Sequence, residues 1–331
     1  MCESSSLSLP LSWSTLRIPT FPPEPTSHPP HLHPQEYKDD NHKPEMAVAL
    51  SEFEALCSFV GHEELVAALQ AVPELVALCG AEAAAAYAAS SSPAERRERL
   101  RAAFTALMTA PPPAVAAAIK AMCSRLAAEA AAGRPLADKE RLVLRLQQQY
   151  PNDVGVMAAW FLNYLRLGAG QAIALPANEP HAYISGQIVE CMATSDNVVR
   201  AGLTPKFRDT QVLCASLTYS QGPPEVLSGG CPGRPHLACY RPPFREFEIW
   251  RLAPPAGVAH SLPATRGPMI MLVQQGSARV AARAGRSAPV LGEVKRGDVF
   301  FIPAGLALDV SAHEPLAIWF AAVNGMGLES Q

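Results

Sequence analysis

Between His181 and Lys206 the chain gathers an imidazole, a phenol, two carboxylates and cations in one short stretch. His181 and Tyr183 are two residues apart, so on a β-strand both project from the same face. Glu190 falls on the strand expected next, followed by a polar corner, Thr194–Asn197, which contains Asp196, and then Arg200 and Lys206. That set suits a small anionic polyol. The cations would meet an anionic group, the carboxylates and phenol would meet hydroxyls, and the imidazole could hold a metal. The same residues also fit a surface hairpin with ordinary polar decoration. Upstream, Lys43 and Glu45 alternate in the strand sense at the entrance to the apolar run Met46–Leu50; taken alone, such a pair also fits a solvated edge.

The elements that must position these groups change period along the chain. Residues 1–34 are rich in Ser and Pro and hold no sustained period, as expected of a disordered tail. His28, His31 and His33 lie there, either a weak metal cluster or incidental. From about Glu52 to Tyr150 the period becomes helical, with apolar stripes over Glu63–Cys79, Ala94–Thr109, Pro113–Ala132 and Leu136–Tyr150. This predicts an inserted bundle of about four or five helices, stopped by Pro151-Asn152-Asp153. Beyond Gly155 the pattern reads as strands to the end, with Val156–Leu167 a continuous apolar run and Asp209–Tyr219 a short helix. Gln221–Pro235 reads as a Gly/Pro-rich linker. Short strands are then expected at Phe247–Leu252, Ile270–Gln274, Ala278–Ala282, Asp298–Pro303, Asp309–Ala312 and Ala317–Val323, a spacing that argues for a jelly roll.

Composition limits the classes of function. The 331 residues suffice for two or three domains. A hydrophobic content of 49% with net charge −3 favours neither bulk disorder nor nucleic-acid binding. No apolar run reaches the roughly 20 residues of a spanning helix, and no secretory signal pattern opens the chain. The eight cysteines contain no C-x-x-C pair, which reads as reduced thiols in a cytoplasmic protein.

Three motifs then resemble one family. Asn41-His42-Lys43-Pro44-Glu45-Met46, Pro180-His181-Ala182-Tyr183 and Ser195-Asp196-Asn197-Val198-Val199-Arg200-Ala201-Gly202-Leu203-Thr204-Pro205-Lys206 resemble type I mannose-6-phosphate isomerase, from about Gln35 to the C-terminus. The resemblance implies a mainly β fold with a helical insertion: two cupin-like jelly-roll sheets plus an inserted α-helical domain. The expected division is an incomplete catalytic cupin at 35–51 and 151–222, a helical domain at 52–150, and a cupin-like domain at 223–331. In that last domain Leu306-Ala307-Leu308-Asp309 follows Gly297–Gly305 where metal-binding cupins carry a histidine a few residues on, so it should be metal-free. The implied activity is zinc-dependent interconversion of mannose 6-phosphate and fructose 6-phosphate through a cis-enediol, feeding GDP-mannose synthesis and glycosylation. By the same resemblance Glu45 and His181 match zinc ligands, Arg200 matches the active-site arginine, and Lys43, Tyr183, Glu190, Asp196 and Lys206 match pocket residues. Glu45 and His181 are expected on neighbouring strands. The expected partner is a small phosphorylated sugar, with no nucleic acid and no membrane, and the expected state is a monomer.

The chain departs from the family in one place. The family's other two zinc ligands come from a Gln-Ala-His-Pro segment upstream of Lys43, and no Gln-x-His occurs in this sequence. The expectation is therefore a chain lacking the family's first strands, with weakened zinc retention and impaired turnover, or a non-catalytic cupin that binds without reacting. His31 or His33 as replacement ligands would come from a segment of the wrong pattern.

Overall fold

The computed structural model describes residues 37–39, 41–283 and 290–325. The 1–34 tail, with His28, His31 and His33, lies outside them. The described chain opens with strands β1 (Glu45–Ala49) and β2 (Phe53–Phe59). Helices α1 (His62–Ala71), α2 (Pro73–Cys79), α3 (Ala81–Ala88), α4 (Pro93–Met108), α5 (Pro112–Ala131) and α6 (Asp138–Gln149) follow. After a short α7 (Gly155–Ala158) and a 3₁₀ turn, the chain returns to strands β3 (Leu162–Leu167), β4 (Ala172–Leu175), β5 (His181–Ser185) and β6 (Ile188–Met192). Helix α8 (Thr210–Ser216) and β7 (Val226–Leu227) lead to the last third. That third comprises β8 (Leu237–Tyr240), β9 (Glu248–Leu252), β10 (Ala259–Leu262), β11 (Met269–Gln275), β12 (Ser277–Arg283), β13 (Val290–Lys295), β14 (Val299–Ile302), β15 (Ala307–Ala312) and β16 (Ala317–Ala322).

The strands form four sheets, ordered β3-β2-β5, β6-β1-β4-β7, β14-β11-β16-β9-β8 and β10-β15-β12-β13. They stack through their apolar faces, and the period of two decides which residue enters which core. On β1, Ala47 and Ala49 pack with Phe53, Ala55 and Cys57 of β2, while Met46 and Val48 turn the other way onto Tyr240, Ile249 and Trp319. On β16, Ile318 and Phe320 join Met271, Val280 and Val310 in the core of the C-terminal pair of sheets. Leu56 and Phe59 of β2 instead enter the core shared with the helices, beside Phe104 and Phe161.

Several expectations from the pattern change. The helical region begins at His62, because Phe53–Phe59 alternates and pairs antiparallel with both β3 and β5. The expected helix over Glu63–Cys79 is broken at Pro73, whose missing N–H and clash with the preceding residue force Val72 out of the helical region. The Ala-rich run at Ala81 forms α3, started after Gly80 at φ +87°. The run from Val156 opens as a helical turn before β3. Strands β8, β10 and β13 were not anticipated, and Val226–Leu227, inside the expected linker, pairs with β4. Glu45 and His181 are not on neighbouring strands: β1 and β5 belong to facing sheets. Among the described residues no single helix is long and apolar enough to cross a membrane.

Glu54 ties the helical layer to the sheets. Its carboxylate accepts from Arg145 of α6 at 2.8 Å, from Tyr164 of β3 and from Ser185 of β5. Burial opposes its ionisation, but these donors outweigh burial and hold its pKa down at about 2, against an ordinary 4.5. The depressed folded value means this stabilisation is complete above about pH 4.5 and is lost as pH falls towards about 2. Glu54→Gln should lower stability by about 2 kcal/mol at neutral pH. Thermal melts from pH 7 to 3 should show a shallower acid slope for Glu54→Gln than for the wild type.

Candidate active site

The inter-sheet core that holds Ala47 and Ala49 ends in charge. Two residues earlier in the same phase comes Glu45, and two before that Lys43, so alternation carries both onto this face. Lys43 Nζ lies 4.0 Å from Glu45 Oε1, and both side chains are buried. Glu190 sits opposite Ala47 across the β1–β6 pairing and so faces the same core. From the facing sheet, His181 sits opposite Cys57 and Tyr183 opposite Ala55. The two sheets meet here: His181 Nε2 lies 3.4 Å from Glu45 Oε2. The His181 and Tyr183 rings lie 5.7 Å apart, and Phe53 meets Tyr183 edge-on.

Electrostatics in this pocket follow from burying like and unlike charges together. Burial raises the pKa of Glu190, and the neighbouring Glu45 carboxylate raises it further. Burial opposes a charge on His181, but its contact with Glu45 outweighs that and raises the imidazole pKa. Tyr183 is pushed well above its ordinary value by burial and by Glu190. The tautomer of His181 is set from behind. Its Nδ1 lies 3.0 Å from the Glu179 carbonyl, so Nδ1–H donates there; Nε2 keeps its lone pair in the neutral ring and, once protonated, faces Glu45 as N–H.

Glu179 itself was not singled out by the sequence. Its side chain is buried and takes a hydrogen bond from Thr218. The Pro176–Pro180 turn around it, with Asn178 at φ +69°, is the signal that could have marked it.

The remaining expected site residues lie along the irregular segment after β6. Asn197 is fully buried and anchors it: Oδ1 accepts from Lys38 N at 2.7 Å, and Nδ2 donates to the Asp39 carbonyl at 2.6 Å. The Asp39 carboxylate answers by accepting from Ser195 Oγ and Asp196 N, both at 2.8 Å. Further along, Asp153 Oδ1 accepts from Gly155 N at 2.7 Å and Leu203 N at 2.8 Å. A Cβ on Gly202 would meet Gly155 backbone at 2.7 Å, so only glycine allows this approach. Arg200, held between these anchors, is half-buried. The Asp196 carboxylate is exposed, 4.0 Å from Lys38 Nζ, and Lys206 is exposed. The structure thus brings Lys43, Glu45, His181, Tyr183 and Glu190 together. No hydrogen bond or ion pair joins Asp196, Arg200 or Lys206 to that group among the described residues.

Comparison with known proteins decides the family. Mannose-6-phosphate isomerase 1 of Arabidopsis thaliana is 43% identical over 294 residues, 88% of this chain and 66% of that protein. Mannose-6-phosphate isomerase of Bos taurus is 40% identical over 289 residues, 85% of this chain and 68% of that protein. This chain belongs to the type I phosphomannose isomerase family. The family's catalytic-domain model matches residues 14–62 and its helical-insertion-domain model residues 78–162. The match therefore starts upstream of Gln35, inside the stretch read as an unrelated tail. Among solved structures, the apo form of mannose 6-phosphate isomerase from Salmonella typhimurium superposes with a TM-score of 0.69 at 25% identity, covering 89% of this chain and 70% of that one. A mannose 6-phosphate isomerase bound with zinc and yttrium matches with a TM-score of 0.69 at 26% identity, over 89% of this chain and 70% of that one. The chain spans 66% and 62% of the two Arabidopsis relatives, under two thirds of each.

The donors present fit two positions of a zinc site. An imidazole whose far nitrogen is held by a carbonyl, beside a carboxylate, is the arrangement in which histidine binds zinc. Among the described residues no group of three or more His, Cys, Asp or Glu is arranged to hold a metal.

Asn197→Ala should remove the bridge between the Arg200 segment and the approach to β1, leaving Lys38 N and the Asp39 carbonyl without their partner. A loss of about 2 kcal/mol in urea unfolding is expected; an unchanged midpoint would show that the segment is held elsewhere.

Proposed function

We propose that the site interconverts mannose 6-phosphate and fructose 6-phosphate, by proton transfer between C1 and C2 through a cis-enediol. The observation that carries the reading is the convergence of the His181 Nε2 lone pair and the Glu45 carboxylate at 3.4 Å, within a chain of this family. Glu45 and His181 would hold a zinc ion, whose Lewis acidity stabilises negative charge developing on the sugar oxygens. Lys43, buried 4.0 Å from Glu45, offsets the carboxylate charge of the pocket. Tyr183 presents a buried phenol hydroxyl and Glu190 an exposed carboxyl to the sugar hydroxyls. Arg200 and Lys206 supply cations for the phosphate and for the developing oxyanion. The Glu179 carbonyl fixes the His181 tautomer throughout.

One observation favours a second reading. No group of three donors is arranged to hold a metal among the described residues, which favours a binder of the sugar phosphate that does not turn it over.

Isomerase activity of the purified full chain, assayed with added Zn²⁺, separates the two. The first reading expects turnover that falls about 100-fold in Arg200→Ala with an unchanged melting temperature. Saturable mannose 6-phosphate binding without turnover supports the second. Turnover undiminished in Arg200→Ala would contradict the role given to that residue.

A further inference from the structure

A second cleft opens where β2 ends and the helical layer begins. One cavity of about 390 Å³ is lined by Gly61, His62, Arg96, Arg97, Ser220 and Gln221, among others, and no carboxylate lines it. An adjoining cavity of about 500 Å³ shares Gly61, His62 and Arg96 with it and adds Glu63, Glu64 and Asn163. Neither shares a lining residue with the Glu45–His181 pocket. Volumes of this size are those of small-molecule sites.

The charges here are met by carboxylates only through space: Glu179 acts on Arg97, and Glu63 acts on His62 beside Arg96. Arg125, Arg134, Arg141 and Arg145 each form an ion pair with a carboxylate. Arg96 and Arg97 form none among the described residues, and Arg96 Nε is buried without a hydrogen-bond partner. His62 Nδ1 is likewise buried and unpartnered, its ring held against Tyr87 at 5.0 Å. Helix α1 begins at His62 with no side-chain cap and with Glu63 and Glu64 in its first turn, and α4 begins at Pro93 behind the Ser92 cap. Two guanidinium groups and a neighbouring imidazole therefore line a concavity to which no carboxylate contributes among the described residues, while acceptors gather in the adjoining one.

We propose that this cleft is a second ligand site, which takes a small phosphate monoester carrying free hydroxyls. The phosphate lies against Arg96 and Arg97, whose planar forks suit its oxygens, and the hydroxyls face Glu63 and Asn163 in the adjoining cavity.

Isothermal titration of the full chain with glycerol 3-phosphate tests this, using the wild type, Arg96→Gln/Arg97→Gln and Arg200→Ala. Saturable binding is expected in the wild type, weakened about tenfold in the double variant and unchanged in Arg200→Ala. Higher salt should weaken it, since much of the attraction is electrostatic. Absence of saturable binding to the wild type, or equal affinity in the double variant, would overturn the proposal. So would loss of binding in Arg200→Ala, which would place the ligand in the pocket already described. If the double variant melts early, Arg97→Gln alone, at an exposed position, serves instead: weaker binding supports the site and unchanged affinity overturns it.

Discussion

Burying a carboxylate between two β-sheets is costly unless something answers its charge. Glu45 sits at the end of an apolar stripe, in phase with Ala47 and Ala49, where alternation alone would put another small hydrophobe. What makes the position tenable is the facing sheet, which brings His181 Nε2 to 3.4 Å, and Lys43 on the same strand. The neighbouring Glu190 adds a second carboxylate to the same pocket, and burial together with Glu45 raises its pKa.

Everything around this contact limits how far either partner can move. The Glu179 carbonyl holds the far side of the His181 ring, and the Glu179 side chain is itself tied to Thr218. The strand carrying Glu45 is gripped from both sides, by β4 and β6. The approach to it is stitched to the Arg200 segment by Asn197 and Asp39. That segment is closed at its other end by the Asp153 carboxylate and the Gly155–Gly202 contact. Irregular backbone therefore behaves here as a positioned element, because its polar groups are satisfied internally.

Much of this was legible in the residues, for particular reasons. Period-two alternation correctly put Lys43 with Glu45 and His181 with Tyr183, since a strand leaves no other choice. The helical stripes were legible wherever they were long, as over α4 and α5. What failed was local competition. Pro73 ended a helix that the apolar period would have continued, and Phe53–Phe59 was short enough to be absorbed into the helical region beside it. Strands β8, β10 and β13 carry few strong alternations of their own and are fixed by pairing with partners far along the chain. The meeting of Glu45 and His181 across sheets, rather than along one, could not be read at all. Sheet order is set by long-range pairing, which leaves no local mark. A turn and a polar corner mark the positions of Glu179 and Asn197, but their roles were not legible for the same reason: their partners are distant in sequence.

The central claim is that His181 presents the Nε2 lone pair towards Glu45, with its proton held on Nδ1. Nitrogen-15 NMR of histidine-labelled protein, assigned with His181→Gln and followed through a Zn²⁺ titration, reads this directly. The account expects an Nδ1–H tautomer in the neutral ring and a zinc-dependent shift confined to Nε2, lost in Glu45→Gln. A neutral ring protonated on Nε2, or a His181 signal indifferent to zinc, would contradict it.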